Sequence, residues 1–288
     1  MTHLPEAEWR EREQHHRERL RPWVDPHLER QSKGRKHPIY DFLFEYYSFR
    51  PAQLLRWSPG HRHVLAGESA RQFLCFPEFV QQDDGVRVNP KRFPPQRKAG
   101  LQWVIDLLHQ TLERPPRFGC YGLHEWAMVY DARDTRHRQL PLRVEHRELV
   151  QFLDEQPVCC SHYDAFRFFS NGARELNRLH PTRETQAACE QSGCLHANMD
   201  LYKWAYKYAP WTPGEFIAGA FELAVRLREL DMRASPYDLA DLGFSPIAIE
   251  TPGGREVYQQ MQQALSGEAQ VLRQGLLTHY EDLLERAP

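Results

Sequence analysis

The sequence predicts a mainly α fold with a small β component (α+β). Apolar residues recur at helical spacing over long stretches, N-cap residues followed by proline mark several helix starts, and the extended stretches are few and short. No linker and no internal repeat interrupts the 288 residues. The expected organisation is a charged N-terminal helical extension over residues 1–34, followed by a single compact helical domain over 35–288.

Residues 6–21 are helix formers of mixed charge with few apolar anchors, which predicts a solvated helix. Pro38 suits the first turn of a helix over Ile39 to Phe49, closed by Arg50-Pro51. Between Trp57 and Pro95 the text is broken by Gly, Pro and Asp-Asp-Gly, so loops and short strands are expected. Helix returns at Lys98 to Glu113, where Leu101, Ile105, Leu108 and Leu112 share one face.

After Pro115-Pro116, a loop runs into a short helix around His124. Residues 138–144 alternate loosely and read as strand, with a second extended piece before Cys159. Ser161 and Asp164 read as a capping pair for a helix to Phe169. Asn198 to Tyr208 is helical. Thr212-Pro213-Gly214-Glu215 opens the next helix, which runs to about Asp231; Ser235-Pro236 opens a short one that ends at Gly243, and Thr251-Pro252 opens the last.

Composition excludes several function classes. Hydrophobic residues at 41% and charged residues at 26% describe a folded globular protein, not a disordered one. A net charge of −2 argues against a long duplex footprint, although a local basic patch stays open. No apolar run reaches membrane-spanning length, and residues 1–21 lack an apolar signal core. Six cysteines without regular spacing do not form a disulfide framework. A reduced, cytoplasmic protein with no membrane partner is expected.

Three segments carry candidate chemistry. On the helix from Cys194 to Lys207, His196, Asp200, Lys203 and Lys207 fall on one stripe flanked by Met199, Tyr202 and Tyr206. Imidazole, carboxylate and ammonium together suit acid–base work in a cleft; the alternative is a solvated face with internal ion pairs. At Asp231 to Asp241 one helix ends and another begins, making Asp231 a candidate acid, Arg233 a neighbour on the turn, and Asp238 a cap. Arg183, at another helix start, is either a carboxylate or phosphate binder or a surface salt bridge.

Cysteine meets histidine three times: Cys120 with His124, Cys160 with His162, and Cys194 with His196. Thiolate and imidazole suit zinc or iron, which gives an alternative metal set of Cys120, His124, Cys160, His162 and Cys194. None of these spacings is a known metal motif. His124-Glu125 begins like a zincin helix, but Met128 stands where the second histidine belongs. Nucleotide-binding glycine loops and the GxSxG elbow are missing.

The blocks KHPIYDFLFEYYSFRPAQLLRW, RFGCYGLHEWAMVY, RHRQLPLRV, CSHYDAFRFF, PTRETQ, GCLHANMDLYKWAYK and ELDMRASPYDLADLGFSPIAIETPGGR resemble bacterial proteins labelled 3-methyladenine DNA glycosylase or glycosylase-like. They span most of Arg35 to Arg255. The glycine-rich hairpin and following aspartate of helix-hairpin-helix glycosylases are missing. The resemblance implies a DNA-repair hydrolase that cleaves the N-glycosidic bond of a damaged base or of a nucleoside, without a cofactor. Asp200 or Asp231 would then supply the carboxylate that meets the charge on the sugar, and His196 or Lys203 the proton. Tyr202, Trp204, Tyr121 and Trp126 would stack on the base, and Arg183 and Arg233 would hold phosphate or sugar oxygens. Two readings compete with it: a metal-dependent oxidoreductase or hydrolase using the Cys/His set, and a non-catalytic nucleic-acid-binding module.

Overall fold

The structure is a computed structural model that describes residues 2–83, 85–131 and 139–288. It is mainly α with one small sheet, as the sequence predicts. In chain order the elements are β1 (Thr2–Leu4), α1 (Glu6–Ser32), α2 (Phe42–Glu45), α3 (Pro51–Leu54), β2 (His63–Ala66), β3 (Phe79–Gln82), β4 (Gly85–Val88), α4 (Lys98–Glu113), α5 (Leu123–Met128), α6 (His146–Asp154), α7 (Tyr163–Phe166), α8 (Asn171–Leu176), α9 (Gln186–Cys189), α10 (Leu195–Lys207), α11 (Gly214–Ala234) and α12 (Pro252–Arg286). Contacts cluster into two compact units: Met1–Leu108, Leu201–Glu222 and Leu272–Pro288 form unit 1, and His109–Asp200 and Leu223–Val271 form unit 2.

Unit 1 holds the sheet, ordered β1-β2-β4-β3. β3 and β4 form a hairpin with Phe79 opposite Val88, β2 runs antiparallel to β4, and β1 runs parallel to β2 with Leu4 opposite Leu65. The predicted solvated helix becomes α1, and one of its faces is buried. Trp9, His16, Leu20, Val24 and His27 are all covered, and Trp9 Nε1 donates to the Ala66 carbonyl at 2.9 Å. Spaced at seven, four, four and three, these residues form a sparse stripe that the surrounding charges hide from a count of apolar residues. α1 continues past Pro22 and Pro26 to Ser32. Pro22 is exposed, so water can satisfy the carbonyl it leaves without a donor.

The helix expected over Ile39 to Phe49 shrinks to the single turn α2. Ser48 adopts φ 54°, which ends helical geometry, and the rings beyond it pack outward from the turn. Tyr47 and Phe49 both meet Tyr202 edge-on at 5.4 Å. α4 matches the expected range.

Unit 2 is helical among the described residues. The strand expected at 138–144 reduces to one bridge, Leu142 to Tyr237, and Arg138 lies outside the described residues. Among the described residues no strand lies between α6 and Cys159. The capping expected of Ser161 and Asp164 falls instead to His162, whose Nδ1 accepts the Ala165 N–H at 3.3 Å above the single turn α7. Asp238 does act as a local cap, its Oδ1 accepting from Ala240 N–H at 2.9 Å, but the turn it starts is 3-10 and ends at Gly243. Thr251 Oγ1 accepts from Gly254 N–H at 3.0 Å and opens α12. Trp126, Leu149, Leu153, Leu227, Leu230 and Tyr258 belong to the buried core.

Candidate metal centre and its pocket

The polar groups of interest lie within unit 2, on α5, α10 and α11. α5 starts at an unusual turn. Tyr121 (φ 47°) and Gly122 (φ 74°) are both left-handed, and this bend turns His124 and Glu125 into the interior, where each is 2% exposed. Arg228 and Asp231, one turn apart on α11, are also buried. Arg228 Nη1 donates to Glu125 Oε1 at 2.7 Å and to Asp231 Oδ2 at 2.6 Å. The other oxygen, Asp231 Oδ1, lies 2.6 Å from His124 Nε2.

The first turn of α10 adds His196, whose ring centroid is 4.3 Å from that of His124. Several contacts fix this turn. The Cys194 thiol accepts the backbone N–H groups of Ala197 and His196, and Asn198 Nδ2 donates to the Ser192 carbonyl at 2.9 Å. From α12, Gln262 Nε2 donates to Gly193 O at 2.7 Å and Ser266 Oγ to Ser192 O at 2.7 Å.

The contact between His124 and Asp231 is unusual. At 2.6 Å it has the length of a strong hydrogen bond, yet neither atom has a partner in hydrogen-bonding orientation and both are buried. Two lone-pair atoms that approach without a well-aimed proton between them are disposed as ligands of a common cation. His124, His196 and Asp231 each offer one ligand atom, and the three lie within 4.8 Å of one another. Ligands about 2.0–2.2 Å from a divalent ion stand about 3 Å apart, so His124 and Asp231 would need to separate slightly to share one. Two imidazoles and one carboxylate form the donor set of many zinc and non-haem iron centres.

A second group, His162, Glu190 and Asp200, is equally compact and buried. Its imidazole differs in tautomer. Because His162 Nδ1 accepts from Ala165 N–H, its ring proton sits on Nε2, which faces Glu190 Oε1 at 3.4 Å and Asp200 Oδ2 at 3.5 Å. This group is a histidine held between two carboxylates.

Electrostatics separate the two imidazoles of the first group. Burial alone would lower the pKa of His124, but the Asp231 carboxylate and the Cys120 side chain outweigh it and raise the group to about 10. Burial and the neighbouring His124 charge drive His196 well below the usual histidine range, leaving it neutral. Asp231 is held below the ordinary carboxylate range because His124 and Arg228 overcome the penalty of burial.

His124 and His196 also line a cavity of about 240 Å³. Four of the six cysteines, Cys120, Cys159, Cys160 and Cys194, share its wall. Cys120 is hydrogen-bonded to both Cys160 and His124; the Cys160 contact lowers Cys120 to about 5 and raises Cys160. Asn177 fixes the Cys160 backbone, accepting its N–H at 2.6 Å and donating to its carbonyl at 3.0 Å. In the cavity wall, buried Gln191 Oε1 accepts from Arg117 N–H at 2.8 Å and from Gly193 N–H at 2.7 Å, while Gln191 Nε2 donates to Arg117 O at 3.2 Å. Gly193 is required here, since a Cβ would lie 2.6 Å from the Arg117 carbonyl oxygen.

The structure thus brings together residues from two rival sequence readings. His196 and Asp231, expected as acid–base groups, meet His124 and Cys120, expected as metal ligands. Asp200 is buried beside His162. His196 and Asp200 fall in unit 2, whereas Lys203, Tyr202 and Trp204 fall in unit 1. There Tyr202 packs against Phe49 and Phe221, while Trp204 meets Trp103 at 5.5 Å and lies under Lys203 Nζ at 4.5 Å. Trp126 is a core residue whose Nε1 donates to Ala234 O at 2.8 Å. Tyr121 is half-buried, its ring 6.4 Å from Tyr258 of the cavity wall. Arg233 Nε donates to Ser245 O at 3.0 Å and braces the end of α11, and Arg183 is exposed. Glu125, Glu190 and Arg228 were not among the expected site residues.

Unit 1 has a larger cavity of about 420 Å³ between Phe49, Trp57, Phe73, Phe79 and Tyr206, with no histidine or cysteine in its wall. Among the described residues no helix is long and apolar enough to cross a membrane. The chain matches no family model, no curated protein and no solved structure in the comparisons made.

Proposed function

We propose that this chain is a metal-dependent hydrolase whose divalent cation is held by His124 Nε2, His196 and an oxygen of Asp231. The carrying observation is the buried, misdirected 2.6 Å approach of His124 to Asp231. The ion would supply Lewis acidity and an activated water at the floor of the cavity. Arg228 fixes the second oxygen of Asp231 and keeps the carboxylate aimed, the supporting role that ligand carboxylates need. Cys120 holds His124 from the side, and the cavity admits a small substrate to the same place.

Elemental analysis tests this directly. The protein is expressed with zinc, iron and manganese supplied, then purified without chelator. A stoichiometric ion is expected in the wild type and a substoichiometric one in His196→Ala and Asp231→Asn, with circular dichroism confirming that the variants fold. A folded wild-type protein that takes up no stoichiometric ion, even after reconstitution, refutes the proposal.

A second reading, N-glycosidic cleavage, is favoured by one observation: Asp231 and His196, one carboxylate and one proton donor among those expected for it, stand together near Tyr258. Base release from alkylated DNA and from a nucleoside panel tests it, and no release from any substrate rules it out. A DNA-repair role and a cytoplasmic location belong to this reading.

A further inference from the structure

The cavity wall has a charge pattern that the metal centre alone does not explain. Arg117 and Arg178 sit on its rim, both exposed, and among the described residues neither guanidinium has an ion-pair partner. No aspartate or glutamate lines the cavity. Deeper in, Gln262 is 2% exposed; its Nε2 is bound to Gly193 O, but its Oε1 is buried without a donor. A buried acceptor left unpaired is destabilising, and a ligand N–H or O–H would relieve it. Pro157, Leu179, Leu195 and the four cysteines add apolar and thiol surface, beside the uncharged Ser161, Gln191 and Tyr258.

We infer that the cavity takes a small anionic substrate. Its carboxylate or phosphate would lie between Arg117 and Arg178, an N–H or O–H would donate to Gln262 Oε1, and its reacting group would face His124 and His196. The last part rests on the metal-centre reading proposed above. Guanidinium suits such an oxyanion through paired, planar hydrogen bonds. The cavity size limits the ligand to a small molecule.

A matched series of probes tests this by calorimetry on the full chain loaded with its metal. N-acetylglycine and acetamidomethylphosphonate carry both features, as carboxylate and phosphonate. N-acetylglycinamide lacks the charge, and N-acetylsarcosine lacks the N–H. Both acids should bind, and their ratio identifies the preferred anion. The neutral amide should bind roughly tenfold more weakly, as should the sarcosine analogue. Arg117→Ala with Arg178→Ala, two exposed positions, should abolish the preference of acid over amide. Equal binding of acid and amide, an unchanged double variant, or no binding by any member overturns the inference. Metal content measured on the same samples separates the two claims. A metal-free protein that still sorts the series by charge refutes only the metal centre; a loaded protein that ignores charge refutes only this inference.

Discussion

Arg228 provides the most exacting test of the buried network. Its guanidinium is 1% exposed and reaches two buried carboxylates, Glu125 and Asp231. With His124 protonated, as its raised pKa dictates in the absence of metal, Arg228 and His124 oppose Glu125 and Asp231, and the lowered Cys120 thiol also contacts His124. Arg228→Met keeps the length and packing of the side chain but leaves one carboxylate in excess, away from water. Breaking a buried pair in this way costs about 3–5 kcal/mol. Adding Glu125→Gln restores the balance, since Asp231 then faces only His124, and should recover roughly half of that loss. Urea unfolding at neutral pH measures both, provided the slope m is unchanged. The sign of the pH effect is also fixed. In Arg228→Met the folded-state pKa of Glu125 rises above its unfolded value, so the folded state binds the extra proton and the deficit shrinks as pH falls towards that range. A loss below about 1 kcal/mol, or a Glu125→Gln change that adds a further cost, would refute the argument.

Two other outcomes follow from separate features. His279, 3% exposed, is lowered to about 3, chiefly by burial and then by the nearby His61 charge; its Nε2 donates to Trp211 O at 2.9 Å. The unfolded chain therefore takes up a proton below the ordinary histidine pKa while the folded chain does not. Stability present above about pH 6.5 should be lost on acidification toward pH 3, at about 1.4 kcal/mol per pH unit. His279→Gln should flatten that slope in acid-denaturation curves, and an unchanged slope contradicts the assignment. Gly122→Ala should cost about 1–2 kcal/mol, because φ 74° is left-handed, while the new Cβ meets only ordinary contacts near 3.4 Å from the Tyr258 hydroxyl. Thermal unfolding that leaves the midpoint unchanged would exclude this backbone constraint.

The sequence made the long helices legible and the site only in pieces. α4 and the starts of α11 and α12 follow from apolar spacing and from Thr-Pro signals, which are local properties of the chain. α2 was overestimated because clustered rings look apolar whether they line one helix face or pack in several directions. His124 failed as the start of a zincin helix because that test looks for the second ligand four residues on; here the partners come from α10 and α11, far away in sequence. Asp200 and Lys203 share a helical face by spacing, but spacing does not show that Asp200 is buried beside His162. Arg228 left one clue, an arginine three residues before Asp231 on a helix whose buried face is otherwise apolar. Glu190 left none, since its role depends on His162 reaching it.

The Gln191 carboxamide ties residue 117 to residue 193 with three bonds, across a contact so close that only glycine fits. Backbone strung together in this manner has little freedom to gape and reclose around a visitor. The entrance should therefore discriminate by the girth of the incoming molecule, through an aperture already set before arrival, so bulky analogues would be turned away at the threshold instead of being bound slowly.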